Sequence, residues 1–182
     1  MKQTLFLSIV LSGTLLANEP KVYIDMNPVQ LNYSNNGTGT DFKPTGFKWT
    51  VGYLIKDFNM VGFGIEASAM LGVNSDEKAR LKDTKGIELH QASVVLDKLY
   101  SLHLKTVIPF SSNFNANLYM GASRAKVESL ALNALNKSSF ENSFSYGAGL
   151  EYWSMANVSV YGNYIQYFNN LSAIEVGLGF RF

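Results

Sequence analysis

The stretch FKWTVGYLIKDFNMVGFGIEASAMLGV, Phe47 to Val73, holds two runs in which large apolar residues alternate with small or polar ones, with a short break between them. Side chains of an extended chain point to opposite faces in turn. In the first run Phe47, Trp49, Val51, Tyr53 and Ile55 therefore share one face, and Lys48, Thr50, Gly52, Leu54 and Lys56 the other. In the second, Val61, Phe63, Ile65, Ala67, Ala69, Leu71 and Val73 oppose Gly62, Gly64, Glu66, Ser68, Met70 and Gly72. The break Asp57-Phe58-Asn59 is short enough for a tight turn, so the two runs are expected to form a β-hairpin.

Comparable runs occupy Val22 to Tyr33, Leu99 to Pro109, Phe114 to Ser123, Phe144 to Tyr152, Val158 to Tyr167 and Leu171 to Phe182, which brings the expected strands to eight. The connections at Asp57 to Asn59, Phe110 to Asn113 and Trp153 to Asn157 are short, and those at Ser34 to Thr45, Asn74 to Lys98 and Arg124 to Ser143 are long and polar. Only Phe168 to Asn170 is short where the alternation calls for a long connection. Short links at one rim and long ones at the other are the layout of an up-and-down barrel inserted from one side. Two stretches leave alternatives open. Gly86 to Asp97 could extend the fourth strand or form a short helix, and its parity does not run cleanly into Tyr100. Val127 to Asn136 carries leucines at a spacing that also suits a helical turn.

Length and composition narrow the function classes. A chain of 182 residues fits one domain after a leader. A formal charge of +1 with no run of Lys or Arg gives no field for nucleic acid, which is set aside as a partner. The absence of cysteine removes disulfides, thiolate metal sites and cysteine nucleophiles, and no cofactor or metal is expected. Lys2, the apolar Leu5 to Leu16 and the small Ala17 before Asn18-Glu19-Pro20 form the pattern of a secretory signal peptide. Cleavage is expected near Ala17, leaving 18–182 as the barrel domain.

The faces have a definite sense. Lys48, Lys56, Glu66, His103, Lys105, Glu151, Glu175 and Arg181 share parity with many of the glycines, whereas the opposite face carries rows of aromatics. Glycine on a solvated outer face weakens a strand for no steric gain, but the interior of an eight-stranded barrel has room only for modest side chains. The charged residues are therefore expected inside, as a lumen polar network. The aromatic face is expected outside, where only lipid could cover so large an apolar surface. An all-β, eight-stranded antiparallel up-and-down transmembrane β-barrel follows.

FSYGAGLEYW (Phe144 to Trp153), NVSVYGNYIQYF (Asn157 to Phe168) and AIEVGLGFRF (Ala173 to Phe182) resemble the last three strands of the OmpA-like, porin-related superfamily of outer-membrane barrels. Leu99 to Val127 is similar to the middle hairpin of that family. The resemblance implies location in the Gram-negative outer membrane, in contact with its lipid and lipopolysaccharide. It also implies delivery by periplasmic chaperones and the barrel assembly machinery. In that family the closing strand ends on an aromatic after alternating apolar residues, and Ile174, Val176, Leu178, Phe180 and Phe182 match this assembly signal.

A structural or envelope-integrity role, or ligand contact through the long loops, is expected without catalysis. Eight strands leave almost no continuous channel, so a narrow gated pore or small-solute channel is the first alternative. The second is a lipid A-modifying enzyme: Ser101 and His103 share a strand face, and some barrels of this size use Ser and His for that chemistry. Their parity points inward, away from lipid. His90 lies far from His103 in sequence and makes a weak metal site.

Overall fold

The computed structural model describes residues 22–35, 40–58, 61–82, 88–131, 134–155 and 157–182. Ten strands run in chain order: β1 (Val22–Asn35), β2 (Thr40–Phe42), β3 (Thr45–Phe58), β4 (Val61–Asn74), β5 (Asp76–Lys82), β6 (Glu88–Pro109), β7 (Phe114–Ala131), β8 (Ala134–Met155), β9 (Val158–Phe168) and β10 (Leu171–Arg181). Among the described residues there is no helix. Eight of these strands pair antiparallel with their chain neighbours, in the order β1, β3, β4, β6, β7, β8, β9, β10. The ring closes where β10 pairs with β1, from Tyr23 opposite Arg181 to Tyr33 opposite Leu171. Closure leaves none of the eight with an unpaired edge, which is what a sheet needs where no water can satisfy its backbone. The two short strands lie outside the ring: β2 adds to β1, and β5 adds to the outer part of β6.

Alternation along each strand survives folding as alternation between lumen and lipid. In β4 burial runs strictly in and out from Gly62 to Met70. The outward residues Trp49, Val51, Tyr53, Phe63, Leu104, Met120, Leu150, Ile174, Val176 and Leu178 stay exposed, an apolar belt that only a hydrocarbon phase would cover. Phe114 and Tyr152 pair across β7 and β8 near the short-turn rim, with ring centroids 5.2 Å apart. Phe144 and Tyr146 stack at 6.5 Å farther along β8.

The structure corrects the sequence reading at the long-loop rim. Residues 74–98 and 124–143, expected as loops, are largely strand: β5 and the outer half of β6 occupy the first, and the ends of β7 and β8 the second. The helical alternative for 127–136 fails, because Val127–Ala131 pairs with β8 back to Ala134, leaving only 132–133 undescribed at the tip. Cross-strand pairing overrides a leucine spacing that suits either structure. The extension alternative for 86–97 holds from Glu88 onward, and the broken parity has a local cause. Leu96 faces Val127 and Lys98 faces Lys126, so Asp97 is an extra residue, a β-bulge that flips the alternation. At the other rim β3 continues to Phe58, which pairs with Val61, so Asp57 and Phe58, expected in the turn, belong to the strand, and Asn59 lies outside the described residues. Likewise Trp153, expected in a turn, is still in β8.

Candidate functional site

The inward residues of the eight strands build the lumen, and its charges are mostly paired. Lys48 on β3 donates from Nζ to both carboxylate oxygens of Glu175 on β10, at 2.7 and 2.8 Å. Tyr167 on β9 donates its hydroxyl to the same carboxylate at 2.7 Å. Both members of this ion pair are buried, with side chains 3% and 0% exposed. Deeper toward the short-turn rim, Lys105 on β6 lies 3.8 Å from Glu151 on β8, and its ammonium sits 4.6 Å from the Tyr23 ring centroid. Glu151 also accepts from Asn117 at 3.2 Å and Ser159 at 2.9 Å. Buried carboxylates require this degree of satisfaction, because an unpaired charge out of water is very costly.

Glu66 on β4 accepts from Tyr23 at 3.0 Å. The His103 Nδ1 approaches Glu66 to 3.7 Å, too long for a hydrogen bond. The other ring nitrogen shares a 2.8 Å hydrogen bond with Ser145, which also accepts from Ser123 at 2.8 Å. Ser101 is paired with Ser68 at 2.5 Å rather than with His103. Ser101 and His103 therefore share a face but not a hydrogen bond, and both are buried inside the barrel.

Of the expected lumen residues, Lys48, Glu66, His103, Lys105, Glu151 and Glu175 converge in this interior. Arg181 faces inward too but joins none of the described carboxylates; its guanidinium packs 4.0 Å from the Trp153 ring centroid at the short-turn mouth. Lys56 lies past an irregularity in β3 that places it opposite Phe63, and its side chain is outside the described residues, as is that of His90. Ile174, Val176, Leu178 and Phe182 are exposed on the outer wall, and Phe180 is half-buried there. The backbone of Phe182 exchanges hydrogen bonds with Val22 at 2.8 and 3.3 Å.

Two parts of the lumen escaped the sequence reading. Asp25, Tyr23, Asn27, Tyr119 and Tyr161 are interior, with Tyr161 donating to Asn27 at 2.8 Å and Tyr119 to Asn163 at 3.2 Å. Parity along β1 carries the signal for Tyr23, Asp25 and Asn27. More consequentially, the lumen toward the long-loop rim is apolar: Val29, Leu31, Met70, Leu99, Ile165 and Leu171 pack with Tyr167 and Phe168 into one buried cluster. These residues share strand faces with the charges, which is why alternation alone hid them. Together the lower polar network and the upper apolar plug fill the barrel in two layers.

The family model described as "outer membrane protein beta-barrel domain" matches residues 4–182. No curated protein sequence matches the chain. Among solved structures, Ail of Yersinia pestis, in complex with the heparin analogue sucrose octasulfate, is similar at 18% identity and a TM-score of 0.60, covering 90% of this chain and 99% of that one. The N-terminal β-barrel domain of Pseudomonas aeruginosa OprF matches at 14% identity and 0.56, covering 90% and 100%. The transport unit of the Escherichia coli autotransporter AIDA-I matches at 9% identity and 0.55, covering 96% of each chain. Identities this low speak for the fold alone, while the family model spans nearly the whole sequence. A closed eight-stranded barrel with an apolar belt and a filled lumen, matched over that length, places the chain in the outer membrane as a member of the outer membrane protein beta-barrel domain family.

Proposed function

We propose that this chain is a non-catalytic barrel that strengthens the envelope and carries a rigid sheet beyond the outer membrane surface as a contact platform. The observation behind this reading is strand length. β6 and β8 each have 22 residues and β7 has 18, whereas a tilted strand crosses the hydrocarbon in ~9–11. At ~3.3 Å per residue β6 measures roughly 70 Å along its axis. Its outer half stays hydrogen-bonded on both sides, to β5 from Asp76 to Lys82 and to β7 up to Ala131. The excess length is therefore an ordered surface rather than a set of loose loops.

The Ser101 and His103 positions support the absence of catalysis, since Ser101 is buried on the inward face and bonded to Ser68 rather than presented to a lipid on the outer wall. Signal-peptide removal near Ala17, assembly through Ile174, Val176, Leu178, Phe180 and Phe182, and contact with lipopolysaccharide belong to the same reading. The test is complementation. Cells lacking the protein should become sensitive to detergent and to large antibiotics. Wild-type and Ser101→Ala proteins should restore resistance equally, with lipid A mass spectra identical throughout. A folded Ser101→Ala protein that fails to complement, or lipid A species that depend on the gene, would overturn it.

A further inference from the structure

The short-turn mouth contains a feature that a merely structural barrel does not require. A cavity of about 560 Å³ opens there, lined by Arg181, Trp153, Asn113, Asn115, Ser111 and Ser112 among others. Its rim is fixed by the chain itself. Asn113 accepts from the Trp153 backbone N–H at 2.8 Å and returns a hydrogen bond from its side-chain amide to the Trp153 carbonyl at 3.0 Å. The Ser111 hydroxyl accepts from the Phe114 N–H at 3.2 Å, bracing the turn. Trp153 is thereby held as a wall, and the Arg181 guanidinium lies 4.0 Å from its ring centroid.

Among the described residues the charge on Arg181 has no counterpart. The lumen lysines Lys48 and Lys105 each have a carboxylate within 4 Å, but among the described residues Arg181 has none. Its Nε is buried with no hydrogen-bond acceptor among the described residues. Stacking on an aromatic ring orients a guanidinium but satisfies none of its N–H donors. A planar fork of donors held in place, cationic and lacking an acceptor, is the complement of a two-oxygen anion, which guanidinium binds through paired hydrogen bonds. A volume of this size lies within the range of small-molecule pockets, and a buried apolar cluster occupies the lumen toward the long-loop rim.

We propose that the periplasmic mouth is a binding site for a small oxyanion, a carboxylate or phosphate group, with Arg181 as its ligand and Trp153 as the support that orients Arg181. The polar rim of Asn113, Asn115, Ser111 and Ser112 would bind the rest of a hydrophilic molecule bearing that group. The cavity opens at the short-turn mouth and the buried apolar cluster lies beyond it, so its ligand comes from the periplasm and is retained rather than passed through.

The protein has two tryptophans, so Trp49→Phe leaves Trp153 as the sole indole reporter. The refolded barrel in detergent micelles is titrated with inorganic phosphate and, separately, with succinate, at constant ionic strength set by chloride. Trp153 emission should change saturably with at least one of them, the preferred anion distinguishing phosphate from carboxylate recognition. Arg181→Gln should weaken that binding at least tenfold, and Arg181→Lys, which keeps charge but loses the fork, should fall between. Heat-modifiable migration checks the fold of each variant. Should neither variant fold, the Arg181 Nε–H resonance of the wild-type barrel replaces them: it should move saturably with the same anion. Strictly linear titrations with both anions, binding unchanged in folded Arg181→Gln, or an unmoved Nε–H resonance would each overturn the proposal.

Discussion

Lys48 and Glu175 offer the sharpest energetic test of a lumen held together by paired charges. Replacing Lys48 with Met keeps much of the side-chain volume but leaves the Glu175 carboxylate, fully buried and accepting from Tyr167, without its cation. Breaking a buried pair from one side costs ~3–5 kcal/mol, because the remaining charge stays desolvated. That corresponds to roughly a 100- to 4,000-fold loss in the folding equilibrium at ~1.4 kcal/mol per decade. With a urea slope of ~2 kcal/mol per molar, the unfolding midpoint should fall by about 2 M. Removing the second charge as well, in Lys48→Met with Glu175→Gln, should recover most of the loss, since a neutral pair of similar shape carries little penalty. Equilibrium unfolding of the refolded barrel in lipid vesicles, followed by tryptophan emission and gel migration, gives all the needed values. The reasoning fails if Lys48→Met alone costs less than about 1 kcal/mol, or if the double variant is as unstable as the sum of its singles.

Other expectations come from different parts of the barrel. A Cβ at Gly52 would collide with the Tyr23 ring, whereas at Gly162, on the outer wall, the nearest atom is 3.9 Å away. Gly52→Ala should therefore destabilise by ~1–3 kcal/mol through overpacking, while Gly162→Ala should be neutral or gain a few tenths from better strand propensity; equal losses in urea melts would contradict the packing. On the extended sheet, Lys126 donates to Asp97 at 2.9 Å, and this hydrogen bond holds the Asp97 carboxyl below its ordinary pKa of 3.8. A depressed folded-state pKa contributes stability above the unfolded value that disappears as pH falls through the folded one. The stability difference between wild type and Asp97→Asn should thus be constant near neutrality and vanish in strong acid, and a difference that persists at low pH would dismiss the pair. Deleting Phe182 should lower the folded protein in the outer membrane severalfold while leaving refolding into detergent nearly unchanged; wild-type levels in cells would remove the assembly signal from the account.

The barrel was legible in the sequence because its determinant is local. A period of two with aromatics on one parity and glycines with charges on the other needs no tertiary information, and it placed Lys48, Glu66, His103, Lys105, Glu151 and Glu175 inside. The outer halves of β6, β7 and β8 were not legible for the converse reason. Beyond the lipid neither face must be apolar, so alternation weakens, and the Asp97 bulge shifts what remains by one residue. The plug was hidden in plain parity: Met70 follows Glu66 and Ser68, and Leu99 precedes Ser101 and His103, on the same inward faces. Only depth along the barrel axis separates apolar from charged interior positions, and depth depends on how eight registers combine. The Arg181 neighbour was out of reach as well, since Trp153 on β8 stands beside it across β9, where the registers of two strand pairs combine to align them, rather than through any spacing in sequence.

On the proposed reading, a lumen filled by ion pairs below and by Leu31, Met70, Leu99 and Ile165 above should offer no continuous water path, and ion conduction tests that directly. Purified, heat-modifiable barrel inserted into planar lipid bilayers should give a flat baseline at transmembrane voltages of either sign. Regular unitary current steps that scale with the amount of folded protein would show that the plug and the paired charges do not close the barrel.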